Sequence, residues 1–128
     1  MKTLTIIWKH YDKDGDTCNR CGKTGETIRQ VVSKLTPELA RHDIDLVYQE
    51  KKLEKDAIDQ SNIVLLNGIP IEQYVPDTRV QYTPCDSCSC LTGVDTSCRA
   101  VVRNGRVHED VSREMLIEAI RQVMKSLV

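Results

Sequence analysis

Six cysteines are the residues best suited to chemistry in this chain of 128 residues, and they fall into two groups. Cys18 and Cys21 bracket Asn19-Arg20 within DKDGDTCNRCGKTGET, and Cys85, Cys88, Cys90 and Cys98 follow the spacing C-x2-C-x-C-x7-C. A C-x-x-C between a buried strand and a helix is the arrangement of a thiol–disulfide redox site. Two intervening residues in a first helical turn bring the sulfurs into bonding range. The unpaired N–H groups and positive end of the helix stabilise the thiolate of the first cysteine. In that chemistry Cys18 attacks and Cys21 resolves, with no cofactor required.

Two other readings of the same stretch fail on spacing. A calcium loop counted from Asp12 finds Asp14 and Asp16, but glycine falls at its fourth position and Lys23 occupies the twelfth, where a bidentate carboxylate is needed. A P-loop needs four residues between its glycines, and counting back from Gly22-Lys23-Thr24 puts threonine at 17, with Gly15 two residues too early. Arg20, Lys9 and His10 could each favour a Cys18 thiolate. Lys9 and His10, at a strand end, are nevertheless expected to be ordinary solvated residues.

The second group suits more than one role. Four thiolates suffice for tetrahedral zinc, and Cys85 with Cys88 has knuckle spacing. Soft thiolates also suit Cu(I), an iron–sulfur cluster or a trivalent metalloid, so zinc is the default and not a deduction. The same four could instead exchange with, or relay electrons to, Cys18 and Cys21, or serve only as small buried residues. His10, His42 and His108 show no ligand spacing and are each expected at the surface.

Eighteen basic and nineteen acidic residues leave a net charge of −1, without a run of five or six like charges, which argues against a nucleic-acid partner. The apolar run ending at Trp8 is too brief for a signal-peptide core, and no run approaches the ~20 residues of a membrane span. No membrane partner and a cytoplasmic location are therefore expected, where cysteines are more often redox-active or metal-bound than locked in structural disulfides.

The elements that must position these groups form one domain, 1–128. Thr3 to Trp8 reads as a buried strand and residues 11 to 17 as a polar loop. Ile28, Val31, Val32, Leu35 and Leu39 give a helix face, with Pro37 kinking the helix or opening a new turn, and Gly22 and Gly25 weakening its start. Ile44, Leu46 and Tyr48 predict a second strand, Leu53 to Gln60 a short helix, Ile63 to Leu66 a third strand before the Asn67-Gly68 turn, and Arg99 to Arg103 a fourth before another Asn-Gly pair. Ser112 is a suitable N-cap for a C-terminal helix whose apolar face is Met115, Leu116, Ala119, Ile120, Val123 and Leu127. Residues 76–98 read as a long cysteine-rich loop.

With TLTIIW, CNRC opening into a helix, SNIVLLNG, CDSCSC and VVRNGRVHEDV in order, the chain resembles a family of small prokaryotic thioredoxin-like proteins classed as a domain of unknown function. The resemblance implies an α/β fold, a mixed four-stranded sheet with flanking helices in the order β-α-β-α-β-β-α, carrying the cysteine-rich loop as an insertion. It also implies thiol–disulfide exchange on a protein or small-molecule thiol or disulfide. Two features depart from thioredoxins proper. Thr17 and Asn19-Arg20 replace the tryptophan and Gly-Pro around the pair, and Asn62 stands where a cis-proline is usual. A non-catalytic soft-metal protein using Cys85, Cys88, Cys90 and Cys98, or an interaction domain whose zinc only ties down the loop, are the competing readings.

Overall fold

A computed structural model describes residues 2–13, 16–17, 19–54, 63–84, 97–108 and 110–127, with the backbone path alone at 12–13, 16–17, 19–21, 84 and 97–99. Strand β1 (Lys2–Lys13) is longer than its apolar run and continues into the stretch 11–17 expected to be loop. It turns into β2 (Asp16–Thr17), which pairs back on it through Asp12↔Thr17 and Lys13↔Asp16. Helix α1 (Asn19–Arg41) follows at once. It leads to β3 (Ile44–Leu53), parallel to β1 over ten residue pairs.

β4 (Ile63–Leu66) is antiparallel to β1 on its other side and forms a hairpin with β5 (Ile69–Pro70). With β2 attached to the end of β1 the sheet has five strands, and its main part is the mixed four-stranded run β3-β1-β4-β5 with β1 central. Pro70 is tolerated because β5 has only β4 beside it in this order, so the missing N–H leaves no interior ladder position empty. The hairpin turns on Asn67 (φ 50°) and Gly68 (φ 84°), both left-handed as a two-residue type I′ turn demands. The Asn67 side chain also accepts a hydrogen bond from Thr5 N at 2.8 Å, while Asn67 N donates to Thr5 O at 2.9 Å, clipping the turn to β1.

The expected fourth strand of this sheet lies elsewhere. Ser97–Arg103 forms β7 in a separate three-stranded antiparallel sheet, between β6 (Thr78–Pro84) and β8 (Arg106–His108). The loop expected over 76–98 is therefore narrower, since its two ends pair from Thr78↔Arg103 to Pro84↔Ser97. Alternation in these strands is masked by threonine, arginine and glutamine on half-exposed faces, which is why the segment reads as loop. The helix expected at Leu53 to Gln60 does not begin at Leu53, which ends β3, and residues 55–60 lie outside the described residues.

One face of the main sheet is covered by α1 and by α2 (Arg113–Leu127), the two α-helices among the described residues. The core is Leu4, Ile6 and Trp8 of β1, Ile44 and Leu46 of β3, Val64 and Leu66 of β4, the α1 stripe Ile28, Val31, Leu35 and Leu39, and the α2 stripe Met115, Leu116, Ala119, Ile120 and Val123. Ser112 caps α2 as expected, accepting from Met115 N at 3.1 Å. Arg103 reaches Glu118 of α2 at 2.9 Å, tying the second sheet to the first layer. α1 runs through Pro37 without a break; the Thr36 hydroxyl bonds Val32 O at 2.6 Å one turn back.

The two glycines near the start of α1 do different things. Among the described residues, an added Cβ at Gly22 would meet nothing within 4 Å, whereas one at Gly25 would lie 2.6 Å from Cη2 of Trp8. The indole is 3% exposed and stacked on His10, so it has no free space to swing into. Gly22→Ala is thus expected to raise stability by about 0.4–1 kcal/mol by restricting the unfolded chain. Gly25→Ala is expected to lower it by about 1–3 kcal/mol through overpacking. Denaturant midpoints of the two variants check the contrast, and equal effects would contradict the close approach of helix and indole.

Candidate thiol site at the start of the first helix

The end of β1, the β2 hairpin and the first turn of α1 form the upper edge of the sheet, where the CNRC pair is encoded. Cys21 lies in the first turn of α1; its backbone is described and its side chain is not. Cys18, immediately before Asn19 where the helix begins, lies outside the described residues, as do Cys85, Cys88 and Cys90. Cys98 sits in β7 opposite Thr83 of β6, in the second sheet, again with its backbone alone described. Asn62 is also outside the described residues. Among the described residues no three His, Cys, Asp or Glu side chains gather as a metal site.

The first turn of α1 carries no acidic residue. The helix dipole and its unpaired N–H groups are therefore not offset locally, and an anion at this end gains most from them. Thr24, fully buried, accepts a hydrogen bond from Val111 N at 3.1 Å, locking this end of α1 to the segment that enters α2. The hydroxyl that a P-loop would turn toward a metal is thus already committed to the core, in line with the failed spacing of that motif.

Beneath this helix end lies a group that the sequence reading put on the surface. His10 is 2% exposed, not solvated. Its ring stacks on Trp8 with centroids 4.0 Å apart and an interplanar angle of 23°. Its Nε2 is 2.5 Å from Oε1 of Glu50 on β3, whose side chain is 41% exposed. His42 is exposed and His108 half-buried. The available signal was parity: Leu4, Ile6, Trp8 and His10 alternate on one strand, so His10 continues the inward face beyond the last apolar residue, and Glu50 does the same after Ile44, Leu46 and Tyr48. A stretch read as ending at Trp8 hides that continuation.

A family model described as a domain of unknown function, DUF2703, matches residues 4–120. The chain belongs to the DUF2703 family. An "Uncharacterized protein" of Archaeoglobus fulgidus is 31% identical over 118 residues, covering 88% of this chain and 82% of that relative. No solved structure matches the chain. No helix among the described residues of this DUF2703 protein is long and apolar enough to cross a membrane.

Tyr48 borders the same cluster. Its buried hydroxyl has no hydrogen-bond partner among the described residues, and burial pushes the phenol above its ordinary 10.0, with the Glu50 carboxylate adding to the rise and Arg29 opposing it. A raised phenol means that the folded protein holds the proton more tightly than the unfolded chain. The associated stability is present below pH 10.0 and is lost as pH rises through the higher folded value. Tyr48→Phe is therefore expected to be near neutral in effect at neutral pH. At about pH 11 it should be more stable than the parent, as measured by denaturant midpoints under reducing conditions. An unchanged difference between the two pH values would show that Tyr48 is not held in this environment.

Proposed function

We propose that this protein is a thioredoxin-like thiol–disulfide oxidoreductase in which Cys18 is the nucleophile and Cys21 the resolving thiol. The observation that carries the reading is the position of CNRC where the central strand of a mixed sheet passes, through a short hairpin, into the first turn of a 23-residue helix with no acidic residue in that turn. The parallel β1–α1–β3 unit with an antiparallel β4–β5 hairpin on the other side supports a thioredoxin-like core. Exchange would run through a mixed disulfide with a protein or small-molecule partner and need no bound cofactor. A reducing, cytoplasmic setting suits such a pair.

The β6–β7 hairpin favours a second role for the other cysteines. Its last pair, Pro84↔Ser97, holds together the two ends of the segment 85–96, and Cys98 lies within the hairpin itself. A loop closed at its base loses less entropy when Cys85, Cys88, Cys90 and Cys98 converge on one soft ion such as zinc. That site would be structural and distinct from the exchange chemistry.

Cys18→Ser is expected to abolish reduction of insulin or glutathione disulfide. Cys21→Ser should accumulate a mixed disulfide at Cys18 detectable by mass spectrometry. Elemental analysis of chelator-free protein is expected to find one metal per chain, kept in Cys18→Ser and lost when the four loop cysteines become serine. Full exchange activity in Cys18→Ser would end the first reading, and metal lost with Cys18 would merge the two groups into one site.

A further inference from the structure

Strand β3 has a second edge. Among the described residues β1 is its one strand neighbour, in register from Lys2↔Ile44 to Tyr11↔Leu53. Successive residues of a strand turn their backbone N–H and C=O groups to opposite sides, so every other residue of β3 aims a donor and an acceptor away from β1. Over residues 44–51 no described backbone group outside that ladder bonds to them. An edge of this length is a template for another strand.

Its charges decide which strand it accepts. The face turned away from the helices carries Asp45, Val47, Gln49 and Lys51, and the face toward them Leu46, Tyr48 and Glu50. Asp45 and Lys51 are exposed, and neither has an ion-pair partner among the described residues. Charges on an edge ordinarily turn other strands away. An antiparallel copy of β3 itself neutralises them. In an antiparallel ladder, opposite residues aim their backbone groups either both at each other or both away. A strand paired with its own copy therefore matches even-numbered residues with even and odd with odd. Centred on Tyr48, the pairing runs through Ile44–Lys52 and sets Asp45 against Lys51 of the second copy, twice by symmetry. Centred on Val47, Asp45 meets Gln49; centred on Gln49, it meets Leu53; centred on Glu50, that carboxylate meets its own copy.

We infer that the protein forms a two-fold dimer through antiparallel pairing of β3 with β3 about Tyr48, which joins the two main sheets into one; the inference is independent of the exchange chemistry. The helical face agrees with it. α1 lies over β3, and α2 lies toward β4. Gln30 of α1 contacts Arg113 of α2, and Val32 stands about 200° further round α1, on the flank toward the outer edge of β3. Val32 and Tyr48 are both partly buried against the core. Pairing brings the two α1 helices alongside one another and covers the open sides of both residues. Glu50 and Arg29, which both act on Tyr48, are opposite in charge and add no net charge at the axis.

Sedimentation equilibrium of the full-length reduced protein is expected to give twice the 14.6 kDa of one chain. Asp45→Lys and Lys51→Glu, both at exposed positions, should each raise the dissociation constant by at least about tenfold, because each sets like charges opposite one another at two places. The double variant should restore the dimer. If the single variants lose their circular-dichroism spectrum, carbodiimide coupling of mixed nitrogen-15-labelled and unlabelled parent protein decides the matter. Asp45 and Lys51 of one chain are about 20 Å apart along β3, so an amide between them forms only across the axis and joins a labelled to an unlabelled peptide. A parent protein that stays monomeric up to millimolar concentration overturns the proposal and leaves the edge to a strand of another protein. A dimer that survives both reversals, or that yields no Asp45–Lys51 amide, also overturns it, since the contact then lies elsewhere.

Discussion

The close approach of helix α1 to the central strand at Gly25 and Trp8 is the constraint on which the rest of the structure depends. Any side chain at 25 would collide with the indole, and the indole is fixed by the core on one side and His10 on the other. Because α1 can lie this low, Thr24 reaches Val111 and binds the helix to the segment leading into α2. The Ile28, Val31, Leu35 and Leu39 stripe then meets the sheet. A glycine that costs about 1 kcal/mol in helix propensity is retained because an alanine would cost more in packing.

The polar groups are matched with the same economy. Asn67 satisfies Thr5 N at the hairpin, Ser112 satisfies Met115 N at the start of α2, and Glu50 meets His10 where the core opens to solvent. The Tyr48 hydroxyl and Arg103 Nε are exceptions, buried without a hydrogen-bond partner among the described residues. Tyr48 lies beside the His10–Glu50 pair, so an unsatisfied phenol and a buried imidazole share one side of the sheet beneath the thiol-bearing helix. Buried polar groups are costly unless they are matched, and their concentration here is the feature that most distinguishes this region from plain core.

Much of the architecture can be read directly from residue patterns. The apolar periodicities of β1, α1, β3, β4 and α2, the Ser112 cap and both Asn-Gly turns follow from local rules, because each depends on residues within a few positions of one another. The second sheet could not be read in this way. β6 is polar on about half of its positions, and its pairing with β7 joins residues separated by the cysteine segment, so nothing local marks it as a strand. Arg99–Arg103 was legible as a strand but not its sheet, since the short β5 takes the edge beside β4 and no local pattern says which strand does so.

The sequence by itself determined the cysteine spacing, the strand that leads into the first helix, and the chemistry that soft thiols at a helix start can perform. Those are properties of residue type and short separation. Only the tertiary structure decided that His10 is buried rather than solvated, that Glu50 from a strand forty positions away is its partner, and that Gly25 is there for Trp8. These facts arise from parallel pairing of β1 with β3 and from the height of α1 above them. Such contacts join residues remote in the chain, and neighbours in sequence carry no record of them.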